Sequence, residues 1–213
     1  VKLHGYWRSS ASWRVRIALA HKGLAYEYVP VHLVRGGGEQ HSEAHRAKNP
    51  MAQVPVLELD DGTMLSQSLA IIEWLEETHP TPPLLPKDPV ARARARQLAE
   101  MVNAGIQPLQ NIGVQQHLVS LGLGVDEKAW TVHWIRRGLG ALEAVAKNTA
   151  GRFCVGDAVS VADACLVPQL YGARRFAIDV ADYPTLARIE EACAALPAFA
   201  AAHADRQPDA VPA

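Results

Sequence analysis

Residues 7–14 read Trp7-Arg8-Ser9-Ser10-Ala11-Ser12-Trp13-Arg14, a polar turn between an apolar strand-like run and an apolar helix-like one. The first turn of a helix leaves backbone N–H groups unpaired and carries partial positive charge, so it favours an anion, a thiolate included. Ser9, Ser10 and Ser12 add hydroxyl donors at the same place. On spacing alone, ordinary N-capping is the more common account of such serines. The three cysteines, Cys154, Cys165 and Cys193, all lie in the second half of the chain, so this turn cannot carry out dithiol exchange. A thiolate working here has to come from a ligand.

Two further places offer donors in a similar style. Gln67-Ser68 precedes an apolar helical run and can bind a carboxylate, with a plain cap as the alternative. At Val54-Pro55, a cis bond would turn the backbone so that Val54 presents both N–H and C=O to an extended peptide; a strand-edge proline is the alternative. His41 and His45 stand four apart, but Glu43 is misplaced for an HExxH site and no third ligand suggests itself, so no metal is expected. Gly36-Gly37-Gly38 is not followed by Gly-Lys-Ser/Thr and reads as a flexible loop. Ser160 and Asp163 fit a capping box, which makes Asp163 structural. Arg174 and Arg175, at the far end of that helix, either offset its dipole or face a substrate.

The elements that must position these residues follow from periodicity. Residues 2–7 read as a strand. From Trp13 the pattern is helical, with Trp13, Ile17 and Ala20 on one face, Val15 and Leu19 widening it, and Gly23 ending it. Residues 26–33 are strand-like, and 36–49 are polar and irregular with room for a short helix. The runs 54–59 and 63–66 flank Asp60-Asp61-Gly62 as a hairpin. Ser68 reads as the cap of a helix over 69–78, with Leu69, Ile72 and Leu75 inward and Glu73, Glu76 and Glu77 outward. This order, βαβ, a short helix, ββ and α, suits a small mixed sheet covered by helices.

Five prolines within 79–89 force an extended linker. Beyond it, helical periodicity runs through 90–107, 126–147, 161–174 and 185–196. The expected division is an α/β domain over 1–82 and an all-helical domain over 90–213.

With 213 residues, 49% of them apolar, the chain can bury a core in one large domain or two modest ones. A formal net charge of −1 removes the electrostatic case for nucleic acid. No polybasic patch or membrane-length apolar run occurs, and residues 1–5 are too short an apolar stretch for a secretory leader. Three cysteines without CxxC spacing fit a reducing compartment, so a cytoplasmic location is expected.

Residues 8–19, Arg8-Ser9-Ser10-Ala11-Ser12-Trp13-Arg14-Val15-Arg16-Ile17-Ala18-Leu19, resemble the SSCxWRVRIAL signature of zeta-class glutathione transferases, the maleylacetoacetate isomerase family. Other runs similar to that family follow in order: 49–55 (Asn49 to Pro55), 67–76 (Gln67 to Glu76), 105–111 (Gly105 to Asn111), Cys154-Val155-Gly156-Asp157, Arg175-Phe176 and Tyr183-Pro184. The resemblance runs nearly end to end, and its first segment is the most class-specific.

The resemblance implies a thioredoxin-like N-terminal domain, an all-α C-terminal domain, a homodimer and glutathione as cofactor. It places Ser9, with Ser10 and Ala11, around the glutathione sulfur, Val54 against the cysteinyl backbone, and Gln67 and Ser68 on the γ-glutamyl end. Gln40 and Gln53 would lie along the peptide, with Gln107 and Asn111 approaching from the helical domain. Arg8 and Arg175 would face the carboxylates of a small enedione acid. The implied activity is isomerisation of maleylacetoacetate to fumarylacetoacetate in tyrosine and phenylalanine breakdown, with glutathione transferase side activity. Thiolate addition turns the cis double bond into a single bond, which rotates, and loss of the thiolate restores it as trans.

That chemistry needs a depressed thiol pKa, donors for a developing oxyanion, and cations on the carboxylates. The serine turn suits the first two and the arginine forks the third. Ala11 departs from the family, which usually has cysteine there, so thiolate stabilisation falls to serine and backbone donors. The rival activities are maleylpyruvate isomerisation and dehalogenation of small α-halo acids. A non-catalytic binding module is a rival of another class, but such modules often lose the serine turn or the Gln-Ser helix start, and both are intact here.

Overall fold

A computed structural model describes residues 1–122 and 124–211. They divide into two units, Val1–Leu84 together with the segment from Ala195 onward, and Leu85–Ala194.

In the first unit, strands β1 (Lys2–Gly5), β2 (Glu27–Pro30), β3 (Val56–Glu58) and β4 (Met64–Ser66) form one sheet in the order β2-β1-β3-β4. β1 and β2 are parallel and are joined by α1 (Ser10–His21), while β3 runs antiparallel to both β1 and β4. α2 (Glu43–Lys48) is the short helix, and α3 (Ser68–Thr78) follows the hairpin. This is the βαβ-plus-hairpin order expected, with shorter strands. Leu3, Val56 and Leu57 on the sheet, Val15, Ile17 and Leu19 on α1, and Ile71, Ile72 and Leu75 on α3 are all buried and make the core.

Three local expectations change. α1 starts at Ser10 rather than near Trp13, and every residue in 11–19 is buried, Arg14 and Arg16 included. The helix has no solvent face there because it packs against both α3 and α9 (Pro197–Ala202). Ser68 is the first helical residue of α3 rather than its cap, a position taken by Gln67 at φ 70°. Glu76 points inward, and Leu69 is only half-buried. The cause of the Glu76 burial is Lys22, whose fully buried Nζ lies 2.7 Å from Glu76 Oε2. Lys22 Nζ also donates to the carbonyls of His79 (2.6 Å) and Pro82 (3.1 Å), and Leu84 N–H donates to Glu76 (3.0 Å). A buried ion pair therefore fastens the start of the proline-rich linker.

The second unit contains α4 (Pro89–Asn103), α5 (Ile112–Ser120), α6 (Glu127–Thr149), α7 (Val161–Arg175) and α8 (Pro184–Ala194). Asp88 and Asp126 cap α4 and α6 by accepting from Ala91 N–H and Ala129 N–H. α4 packs on α6 and α7, and α8 on both of those. The capping box of α7 forms as read: Asp163 accepts from Ser160 N–H and Oγ–H at 2.8 Å, and also from Cys154 N–H. The segment from Ala195 onward returns to the first unit, so the helical stretch expected over 90–213 is divided at that point. Among the described residues, no helix is long and apolar enough to cross a membrane.

Candidate active site

Sheet register gathers the candidate residues of the first unit. Val56, at the start of β3, lies opposite His4 near the end of β1, and Ser66, at the end of β4, lies opposite Val56. The parallel β2 ends at Pro30 opposite Gly5. Four segments therefore leave one end of the sheet: the serine turn, the 31–41 loop, residues 53–55, and Gln67-Ser68. The rings of Tyr6 and His32, 5.1 Å apart, link the first two of these.

The serine turn is tightly specified. Ser9 N–H donates to Tyr6 O at 3.0 Å, closing a turn with Trp7 and Arg8 at its corners. Ser9 is the N-cap of α1, its Oγ accepting from Ser12 N–H at 3.2 Å and its carbonyl from Trp13 N–H at 2.9 Å. Ser12 is fully buried, and its hydroxyl accepts from Tyr6 N–H at 3.4 Å. A side chain at Gly5 would crowd Ser12 at 3.2 Å, so the glycine lets β1 and α1 meet closely. Arg8, Ser9 and Ser10 are half-buried, and Ala11 is buried. The Arg8 guanidinium lies over the Trp7 ring, 5.1 Å from its centroid.

Val54-Pro55 is cis, as the sequence reading expected, and Thr81-Pro82 is cis as well. Gln53 is exposed, and its carbonyl accepts from Asn49 Nδ2 (2.9 Å) and pairs with the His45 ring (3.0 Å). Both of those side chains are buried. His45, considered above only as a metal ligand, instead fixes the backbone just before Val54. Beside Gln67, the hydroxyl of Ser68 accepts from the buried Arg14 Nη1 at 3.3 Å. Non-glycine residues take positive φ rarely, and when they do it is commonly at functional turns. Gln40 is buried, with Nε2 donating to Leu33 O at 3.3 Å, while its Oε1 has no hydrogen-bond partner among the described residues.

The remaining candidates belong to the second unit. Gln107 follows α4, with its N–H on Val102 O. Asn111 caps α5 by accepting from Gly113 N–H at 2.9 Å. A reciprocal amide pair, Gln110 with Gln169, ties this stretch to α7. Arg175 ends α7 and is exposed, whereas the neighbouring Arg174 makes a two-pronged ion pair with Glu190.

The first unit matches the family model described as the glutathione S-transferase N-terminal domain over residues 3–83, and residues 133–197 match the corresponding C-terminal domain. Rat maleylacetoacetate isomerase is 49% identical over 97% of this chain and 94% of its own. The maleylacetoacetate isomerase of Anaeromyxobacter dehalogenans 2CP-1, solved with glutathione in its active site, is 56% identical with a TM-score of 0.89, over 99% of this chain and 97% of that one. A bacterial zeta-class maleylpyruvate isomerase is also similar, 42% identical with a TM-score of 0.93, over 99% of this chain and 100% of that one. The chain belongs to the zeta-class glutathione S-transferases.

Within this transferase, the residues that brace the candidate site are less visible in the sequence than the candidates themselves. Arg14 and Arg16 belong to the signature segment, yet nothing in their spacing announces buried positions. Asn49 lies in a matched run, but its hydrogen bond to Gln53 O becomes visible only once the chain has folded back. The described residues hold no cluster of histidine, cysteine or acidic groups suited to a metal.

Proposed function

We propose that this transferase is a glutathione-dependent cis–trans isomerase of maleylacetoacetate. The observation that carries the reading is the serine turn, where a half-buried hydroxyl caps a helix at the same end of the sheet as Val54 and Gln67-Ser68. The first unit also suits the tripeptide in having Gln40 Oε1, a buried acceptor in need of a donor. Ser9, Ser10 and Ala11 would surround the sulfur, Val54 would pair with the peptide backbone, and Gln67 and Ser68 would take the γ-glutamyl end. Gln40, Gln53, Gln107 and Asn111 would supply the remaining polar contacts. When bound, glutathione supplies the thiolate that adds to the substrate double bond and leaves it again after rotation.

The protein's own part is electrostatic. Ser9 Oγ accepts from the helix, which leaves its proton to donate to the sulfur, and the α1 dipole favours the charged form. Arg8 and Arg175 would orient substrate carboxylates by charge-assisted hydrogen bonds. We further assign the enzyme to the cytoplasm, as a homodimer, in tyrosine and phenylalanine breakdown.

The test is a glutathione-dependent assay comparing maleylacetoacetate, maleylpyruvate and dichloroacetate. Highest kcat/KM on maleylacetoacetate is expected. Preference for maleylpyruvate or dichloroacetate would move the assignment to those rivals, and no turnover on any would favour a binding module.

A further inference from the structure

The backbone of the serine turn is held from outside by the returning C-terminal segment. The Tyr6–Trp7 peptide is gripped at both ends: Trp7 N–H donates to Asp209 Oδ2 at 3.0 Å, and Tyr6 O accepts from Arg16 Nη1 at 3.4 Å. Arg16 Nη2 also donates to Trp7 O at 2.8 Å, and its Nε donates to Ala202 O, at the end of α9, at 3.1 Å. Tyr28 donates its phenol to the same Asp209 oxygen at 3.2 Å. Asp209 is separated from Trp7 by 202 residues, yet it belongs to the same unit.

The arrangement is a poor way to gain stability. Arg16 is completely buried, and burial pulls its pKa down. Asp209 Oδ1 is buried with no hydrogen-bond partner among the described residues. Desolvating a charge with incomplete hydrogen bonding is costly, and apolar packing would stabilise the turn more cheaply. What the carboxylate and guanidinium provide is direction. A peptide with an anion on its N–H and a cation on its C=O has one orientation, and that orientation sets where Ser9, two residues on, presents its hydroxyl. We infer that Asp209 is a positioning residue for the thiol-activating turn, acting through the Trp7 N–H rather than on any ligand.

The inference rests on the glutathione-isomerase reading, and its test separates the two. Asp209→Ala, Asp209→Asn, Tyr28→Phe and Ser9→Ala are compared in the full chain by ultraviolet titration of the bound glutathione thiol, kcat, KM and melting temperature. Asp209→Ala should raise the bound-thiol pKa by about one unit, a tenfold loss of thiolate at a pH below both values. kcat should fall by a similar factor, with KM for the enedione little changed. Asp209→Asn keeps an oxygen for the Trp7 N–H and should restore most of the loss. Should the alanine variant not fold, Tyr28→Phe, which removes the other donor steadying the carboxylate, should shift the thiol pKa the same way by less. Unchanged thiol titration in Asp209→Ala, whatever its melting temperature, overturns the inference. So does an asparagine variant as impaired as the alanine one, or no shift in Tyr28→Phe. An Asp209 effect without a Ser9 effect also overturns it, since the turn would then act through another group. If Ser9→Ala too leaves the thiol unmoved, the serine-turn reading fails with it.

Discussion

The hydroxyl of Ser9 accepts a hydrogen bond from Ser12 N–H while keeping a proton of its own to donate. Loss of an N-cap costs about 1 kcal/mol of stability, and loss of an oxyanion-type donor lowers the rate ~10²–10³-fold. Ser9→Ala should therefore combine a small drop in melting temperature with a large drop in kcat and a raised bound-thiol pKa. Ser10→Ala should leave the thiol nearly unaffected; the reverse pattern would transfer the role to Ser10. Arg175 is a second case at this scale. Arg174 is committed to Glu190, which is how a helix-end arginine serves structure alone. If Arg175 instead meets substrate, Arg175→Ala removes a charge-assisted bond of roughly 1.5–3 kcal/mol. That raises KM for maleylacetoacetate about tenfold to a hundredfold and leaves KM for glutathione in place. Unaltered kinetics with a lowered melting temperature would make it a partner of the helix dipole and nothing more.

Among the elements, most were legible from their own pattern, and the misreadings fall where a neighbour remote in sequence, or the lack of one, decides which residues are buried. The β3–β4 hairpin follows from two β-runs around Asp61-Gly62, and α4, α6, α7 and α8 follow from their periodicity. α5 escaped notice because none of its residues is buried, so no apolar stripe marks it. α1 is the opposite case, buried throughout 11–19. Its two arginines suggest a solvent side, yet Arg14 is turned to Ser68, and Arg16 to the serine turn and Ala202. The Ser68 reading failed for a related reason: serine is a preferred cap, but here its hydroxyl answers a buried arginine from another helix. Glu76 likewise looks like a surface residue until Lys22 is brought beneath it. Ser68 for Arg14, Ala202 for Arg16 and Lys22 for Glu76 are remote in sequence, and short-range pattern cannot reveal them. In the candidate site, local backbone was legible, the N-cap at Ser9 and the cis bond at Val54-Pro55, whereas the supporting hydrogen bonds of His45, Asn49 and Asp209 were not.

At the scale of the whole chain, the first unit is discontinuous. It is left at Leu84 and rejoined at Ala195, so the packing around α1, which begins at the serine turn, is completed only by residues far along the sequence. Phe199 on α9 is buried, α9 packs on α1, and the rings of Trp13 and His203 meet edge to face at 4.8 Å. Phe199→Ala should cost about 3–5 kcal/mol, the usual range for emptying a buried aromatic site. The loss should register in the unit to which α9 belongs. Amide hydrogen exchange in α1 reports this directly, because its 11–19 stretch is shielded partly by α9. If α9 instead belonged with the helices before it, as a single helical domain over 90–213 requires, the same substitution would loosen α8 and spare α1. Exchange measured in both helices, alongside a melting curve, decides between the two. Faster exchange in α1 supports the discontinuous unit. Full protection in α1 with a destabilised α8 would return the tail to the helical domain and remove the structural basis for an Asp209 brace on the serine turn.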